Sequence, residues 1–226
     1  MLTIQEIQQE AYATATSKGW HDRPMREPGI VGTLDDARDE YIVHHDRVLR
    51  SHALMHTELS EAQELLYVPV DETPNLHMYF GENGKPEGFV VEIADVVVRV
   101  GDTAGALGIE LINAQVIDAD TGAHLPTTWL TNASSSQACR DIQAATTDRE
   151  RQLAVIEWLS GVRHDIDKAT EDVRVDAFDT YAVYMVQALR KLAGICAGLG
   201  LDLNAAIKAK MTYNKTRPHR HGGKQA

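Results

Sequence analysis

Two pairs of carboxylates constrain this chain more than any other feature: Glu58-Leu59-Ser60-Glu61 and Glu92-Ile93-Ala94-Asp95. Each pair is spaced i, i+3, with residues 62–91 between them. On an α-helix such positions share a face, about 5–6 Å apart at Cβ. Residues 88–100 (GFVVEIADVVVRV) are β-branched enough to read as a strand on propensity alone. In a strand, however, Glu92 and Asp95 would point to opposite faces, one of them into a core. Only a helix puts both on one side, with Arg99 one turn beyond Asp95. The reading is therefore a helix from Gly88 to Leu107, with Pro86 near its start and Gly108 as its stop. Two such helices packed face to face gather Glu58, Glu61, Glu92 and Asp95 at one point, where their charges repel unless a cation sits among them. Oxygen-only ligands favour Mg²⁺, or Mn²⁺, over zinc, and a Mg²⁺ held by few protein groups keeps open positions that suit phosphate.

The rest of the chain supplies a helical setting. A capping box, Thr3-x-x-Glu6, opens a helix along Ile4, Ile7, Ala11 and Ala15, which Gly19 ends. Trp20 follows, suited to capping that helix or to stacking on a nucleobase. Residues 21–32 read as a loop broken by Pro24 and Pro28, and a long helix spans about Leu34 to Leu66, bent near His44-His45. Those neighbouring histidines diverge by about 100° on a helix and are expected to be exposed. His56 is expected to pack rather than to ligate. Residues 67–87 read as a loop with turns at Asp71, Pro74 and Asn83-Gly84. With aromatics at 6%, aliphatic helix packing must supply the core. Cys139 and Cys196 read as buried thiols without a disulfide framework, as in a reducing cytoplasm. No run of 18 apolar residues and no basic leader is present, so a membrane span is not expected.

The net charge is −11, yet from Leu203 onward there are six Lys or Arg and no Asp or Glu, leaving 16 against 33, or −17, in residues 1–202. An acidic body with a basic tail suits a carboxylate-bound metal facing a phosphate clamp and equally a disordered tail, and a stable nucleic-acid partner is not expected. No GxxxxGK[ST] loop and no serine or cysteine nucleophile constellation is apparent, which disfavours a P-loop nucleotidase.

The carboxylate motifs, with their flanks His56-Thr57-Glu58-Leu59-Ser60-Glu61-Ala62 and Asn83-Gly84-Lys85-Pro86-Glu87-Gly88, resemble the metal-binding signature of MazG-like, all-α nucleoside triphosphate pyrophosphohydrolases. The run Lys210-Met211-Thr212-Tyr213-Asn214-Lys215-Thr216-Arg217-Pro218 is similar to the tail of short stand-alone members, including phage-encoded ones. The resemblance covers about half the chain. It implies an all-α MazG-like bundle and Mg²⁺-dependent hydrolysis between the α- and β-phosphates, giving a nucleoside monophosphate and pyrophosphate. Glu58, Glu61, Glu92 and Asp95 would hold the metal and Glu61 would act as general base. Arg99, Lys210, Asn214, Lys215 and Arg217 would bind phosphate, and Trp20 the base. A homo-oligomer in the cytoplasm, the host's if the chain is phage-encoded, is implied as well. The substrate leans to (d)GTP. A pyrimidine nucleotide such as dCTP or dUTP is one alternative, and a catalytically idle adaptor binding nucleic acid through its basic tail is another.

Residues 112–197 lie outside the resemblance, between the catalytic helices (1–111) and a C-terminal helix and tail (198–226). Ala106-Leu107-Gly108-Ile109-Glu110-Leu111 echoes Gly198-Leu199-Gly200-Leu201-Asp202-Leu203 at an offset of 92, and Glu58-Leu59-Ser60-Glu61 echoes Trp158-Leu159-Ser160-Gly161 at 100. The segment is either an unrelated insertion or a degenerate copy of the helical hairpin, with helices at Asp148–Val162 and Asp176–Leu199. A copy would bury Leu153, Ile156, Leu159, Val183, Val186 and Leu189 against the first hairpin, with Trp158, Tyr184 and Gln187 standing where ligands stand in the other. Residues 112–135 would be the linker, with Ser134 or Ser135 as the next N-cap.

Overall fold

A computed structural model describes residues 1–21, 34–67, 74–113, 116–117, 124–125 and 133–219, without the side chains of 34–44, 113, 116–117 and 124–125. The expectations for Pro24, Pro28, Asp71 and the extreme C-terminus fall outside these residues, and the exposure expected of His44 concerns a side chain outside them. Seven α-helices dominate them: α1 (Ile4–Ser17), α2 (Leu34–Glu64), α3 (Phe89–Leu107), α4 (Gln137–Ala144), α5 (Asp148–Arg174), α6 (Phe178–Gly198) and α7 (Leu203–Thr216). The fold is all-α. Two antiparallel ribbons are the only strands described: β1 (Tyr79–Phe80) with β2 (Pro86–Glu87), and β3 (Val116–Ile117) with β4 (His124–Leu125). Pro86 therefore lies in a ribbon leading to α3 rather than in its first turn.

Sequence signals place the helix ends. Thr3 accepts from the Glu6 amide while Glu6 reaches back, and Thr147 and Glu150 repeat that capping box at α5. Ser136, one residue beyond the expected pair, caps α4 because Ala133–Ser135 forms a 3₁₀ turn. Gly108 ends α3 at φ +67°, a left-handed conformation that costs glycine little.

Helices α2, α3, α6 and α5 form a closed four-helix core in which α2 meets α3 and α5, while α6 meets α5 and α3. The packing partner for the first hairpin is thus supplied by the same chain. Helix α1 lies along α3, α4 along α6, and α7 crosses onto α3. Close approach needs glycine here: a Cβ on Gly105 would sit 2.6 Å from Tyr12 Cβ, and one on Gly198 would sit 2.8 Å from Ile142 Cβ.

The two halves, α1–α2–α3 and α4–α5–α6, repeat one arrangement. Residues 45–67 bury Val48, His52, Met55, Glu58, Leu59, Ala62 and Leu66, and a shift of 107 turns these into Val155, Leu159, Val162, Asp165, Ile166, Ala169 and Val173, the buried residues of α5. Between α3 and α6 the shift is 92: Phe89, Ile93, Val97 and Val100 correspond to Tyr181, Met185, Leu189 and Leu192, all buried. The bond from Ile109 N–H to Ala104 O recurs from Leu201 N–H to Cys196 O. Polar rungs repeat too. His45 Nε2 meets Val173 O at 2.9 Å, and Gln152 Nε2 donates to Leu66 O at 2.6 Å, the same positions with the halves exchanged.

This register corrects several expectations. The offset of 100 gives way to 107, so the counterpart of Glu58 is Asp165, not Trp158. Trp158 instead donates to Asp141 Oδ2 at 3.1 Å. Helix α5 continues to Arg174, three turns past Val162. Leu159, Val186 and Leu189 are buried and Ile156 and Val183 partly so, but Leu153 is exposed because it lies off the stripe through Val155 and Leu159. His45 is mostly covered rather than exposed, since the α5 carbonyl draws it in. His56 is half-buried, with its Nε2 3.1 Å from Asp167 Oδ1. Both cysteines are free and buried. Among the described residues no single helix is long and apolar enough to cross a membrane.

Candidate metal and phosphate site

The polar face of α2 runs through Arg47, Arg50, Ser51, Leu54, Thr57, Glu58 and Glu61, at helical spacing. The opposing face of α3 carries Glu92, Asp95, Arg99, Asp102 and Thr103. Ser51 and Thr103 hydroxyls meet at 2.5 Å, and Arg99 donates to Glu58 Oε1 from Nε (2.9 Å) and Nη2 (2.7 Å), so the helices run antiparallel with these faces together. Helices α1 and α7 complete the walls of a cavity of about 830 Å³, within the usual range for small-molecule sites.

One carboxylate oxygen from each of Glu58, Glu61 and Glu92 lies within 4.8 Å of the other two. Glu58 is buried, Glu92 half-buried and Glu61 exposed. Two ligands about 2.1 Å from an ion on opposite sides would be about 4.2 Å apart, so the cluster fits a divalent cation after small side-chain adjustment. Charge crowding is evident without one. Burial, reinforced by Asp95, pushes Glu92 up to about 7 from its ordinary 4.5, against the pull of Lys210. Burial also raises Asp95, opposed by Lys210.

The structure thus brings Glu58, Glu61 and Glu92 together. Asp95 lines the same cavity but is held in an ion pair by the buried Lys210 of α7. Arg99 also reaches the site, as the partner of Glu58. On α7, Lys210, Asn214 and the C-cap Arg217 face the cavity. Lys215, about 100° round the helix from Asn214, does not: its Nζ lies 2.5 Å from Glu10 Oε1, a correction to its expected phosphate role. Trp20 lines the cavity.

Sequence reasoning missed part of this wall. Lys18, Arg47, Arg50 and Lys85 join Arg99, Lys210 and Arg217, so seven cationic side chains face five carboxylates among the described lining residues, within an acidic protein. Arg47 and Arg50 could have been found, since each precedes an acidic ligand by 11 residues, close to three helical turns. His21 and Asp102 could not, because 81 residues separate them. Nε2 of His21 lies 2.7 Å from Asp102 Oδ1, while among the described residues its buried Nδ1 and the buried Oδ1 of Asn214 have no hydrogen-bond partner. Comparison of the chain with protein-family models, curated proteins and solved structures returns no significant match.

Proposed function

We propose that this protein hydrolyses a nucleoside triphosphate between its α- and β-phosphates, releasing the monophosphate and pyrophosphate, as the MazG-like resemblance implies. The observation carrying this reading is the shared wall of one cavity: a carboxylate triad beside an excess of cationic side chains. A triphosphate needs both, a place for its counter-cation and donors for its oxygens. Glu58, Glu61 and Glu92 would hold Mg²⁺, or Mn²⁺, with Asp95 nearby. The bound ion would neutralise the triphosphate, polarise the α-phosphorus and lower the pKa of a coordinated water.

The remaining roles belong to the chain itself. Lys210, released from Asp95, and Arg217 would donate to phosphate oxygens, Arg217 in bidentate fashion. Glu61, the exposed member of the triad, would accept the proton of the attacking water. Water oxygen bonds to the α-phosphorus as the bridging α–β P–O bond breaks, and pyrophosphate leaves. Trp20 offers an aromatic face to the base, an interaction worth about 1–3 kcal/mol.

The test is pyrophosphate release with Mg²⁺ from the eight common NTPs and dNTPs, beginning with GTP and dGTP, with products resolved by chromatography. Monophosphate and pyrophosphate in equal amounts support the proposal. Orthophosphate release, or no turnover of any of the eight, would overturn it.

A further inference from the structure

Helix α2 lines the cavity at two separate levels. Glu58 and Glu61 form a carboxylate pair at i, i+3, and Arg47 and Arg50 form an arginine pair of the same spacing 11 residues earlier. Eleven residues are close to three full turns, so the two pairs share a face and stand about 16 Å apart along the axis. Within a pair the Cβ atoms lie about 5–6 Å apart, close enough for two guanidinium groups to hold one phosphate. Leu54 stands between the pairs, 44% exposed and lining the same cavity.

Helix α3 gives the opposite wall the same order. Asp95 lies at the level of the triad, Val98 in the middle, and Asp102 and Thr103 at the far end, where the Thr103 hydroxyl meets Ser51 at 2.5 Å. That end is cationic. Asp102 is paired with His21 at 2.7 Å, and Lys18, three residues before His21, joins the lining. Arg50 also pairs with Asp46 at 2.5 Å, but both side chains are more than half exposed, so the pair holds little and gives way to a multiply charged anion.

The second hairpin shows that packing does not require the arginines. At the shift of 107, Arg47 and Arg50 become Ala154 and Glu157, just as Glu61 becomes Lys168. The arginine pair and the full carboxylate pair belong to the same hairpin, and both are replaced in the other. One triphosphate does not serve both levels. Its oxygens gather round the ion they ligate, which keeps its charge at the triad. From the α-phosphate the nucleoside would extend along Leu54 and Val98, so an anion at the arginine pair has to be carried beyond the nucleoside, on the ribose.

We propose that Lys18, Arg47 and Arg50 form a second anion site, and that its ligand is a phosphoryl group on the 3′-oxygen of the bound nucleotide. Two sources supply that chemistry: a 3′-phosphorylated mononucleotide, and the 5′ end of a single-stranded oligonucleotide. The inference rests on the nucleotide reading above, but binding of product-like nucleotides tests it without turnover.

Calorimetry with Mg²⁺ would compare GMP, guanosine 3′,5′-bisphosphate and the dinucleotide pGpG, with the adenosine series alongside. The bisphosphate should bind about tenfold to a hundredfold more tightly than the monophosphate, on whichever of the two bases binds. A comparable gain for the dinucleotide assigns the site to an oligonucleotide end, and a gain confined to the bisphosphate assigns it to a mononucleotide. Arg50→Gln, at an exposed position, and Arg47→Gln should each cut the gain to less than about threefold, while Arg50→Lys keeps part of it. Melting temperatures record that each variant folds, and if Arg47→Gln does not, Arg50→Gln alone decides. Equal affinities for monophosphate and bisphosphate, or a gain untouched by Arg50→Gln, would overturn the site while hydrolysis of triphosphates stands. A gain that Arg50→Gln removes, in a protein that turns over none of the eight triphosphates, would keep the site and overturn the hydrolytic reading. No binding and no turnover would overturn both.

Discussion

Replacing Glu92 by glutamine should stabilise the metal-free protein at pH 8 and leave it unchanged near pH 4.5. Burial and Asp95 raise this carboxyl from 4.5 to about 7. Below pH 4.5 the group is protonated in both folded and unfolded chains, so it contributes no pH-dependent difference. As pH rises from 4.5 through 7 the unfolded chain ionises first, and the folded state loses stability until its own carboxyl ionises. The full span corresponds to at most about 3 kcal/mol. Because the side chain is partly exposed, solvent screening reduces this to about 1–2 kcal/mol. Glutamine keeps the shape and removes the charge, so that amount should reappear as stability at pH 8. Urea unfolding in EDTA at both pH values measures it. Adding Mg²⁺ should reverse the order, since only the wild type gains binding energy, and the variant should hydrolyse no nucleotide. A variant less stable than wild type in EDTA at pH 8 would refute the claim that crowded negative charge governs this site.

Mg²⁺ binding at pH 6 should release close to one proton, falling to about a tenth at pH 8, because ligation takes the proton from Glu92; calorimetry in buffers of different ionisation enthalpy reads it, and no release at pH 6 would refute the ligand assignment. Arg217→Ala should raise KM with little change in melting temperature, whereas Lys215→Ala, removing an exposed pair with Glu10, should alter neither by much. Burial holds His52 near 4, below its ordinary 6.5, so folding should lose up to about 3 kcal/mol as pH falls from 6.5 to 4, and His52→Leu should remove most of that dependence in urea titrations.

The carboxylate pairs were legible because their spacing has only one helical meaning, and Glu58, Glu61 and Glu92 do meet. The second hairpin was legible in outline through the offset of 92, where Gly108 and Gly200 mark equivalent helix ends with φ of +67° and +69°. Its other register was misread for a physical reason. Seven residues are nearly two helical turns, so a shift of 100 and one of 107 place the same face inward. Identity of Leu59 with Leu159 favours the first, although the spatial counterpart of Leu59 is Ile166. What could not be read were contacts between distant elements. The tautomer of His52 is an example: Thr170 already donates to Ile166 O, so His52 Nδ1 must donate to Thr170 Oγ1, at 2.7 Å. The Lys210–Asp95 pair and the His21–Asp102 pair are set in the same way, by helix packing.

The repeat also separates what Glu58 does for the fold from what it does for the site. Positions equivalent to Glu58 and Arg99 are Asp165 and Lys191, and these form an ion pair too, at 2.6 Å, with Lys191 also donating to Gly161 O. The other three acidic positions are not repeated: Glu61, Glu92 and Asp95 correspond to Lys168, Tyr184 and Gln187. An ion pair present in both hairpins, only one of which carries a metal-sized carboxylate cluster among the described residues, is a strut between the long helix and its apolar partner. Glu58 then serves twice, its Oε1 on the strut and its other oxygen available to a cation. Two variants test this division. Lys191→Met strands the buried Asp165 without compensation and should cost about 3–5 kcal/mol, whether or not Mg²⁺ is present. Arg99→Met strands Glu58 beside Glu61 and Glu92, and there Mg²⁺ should restore much of the lost stability because a cation replaces the missing one. Equal Mg²⁺ rescue of both variants, or of neither, would mean that the first hairpin holds no cation site and that Glu58 is only a strut.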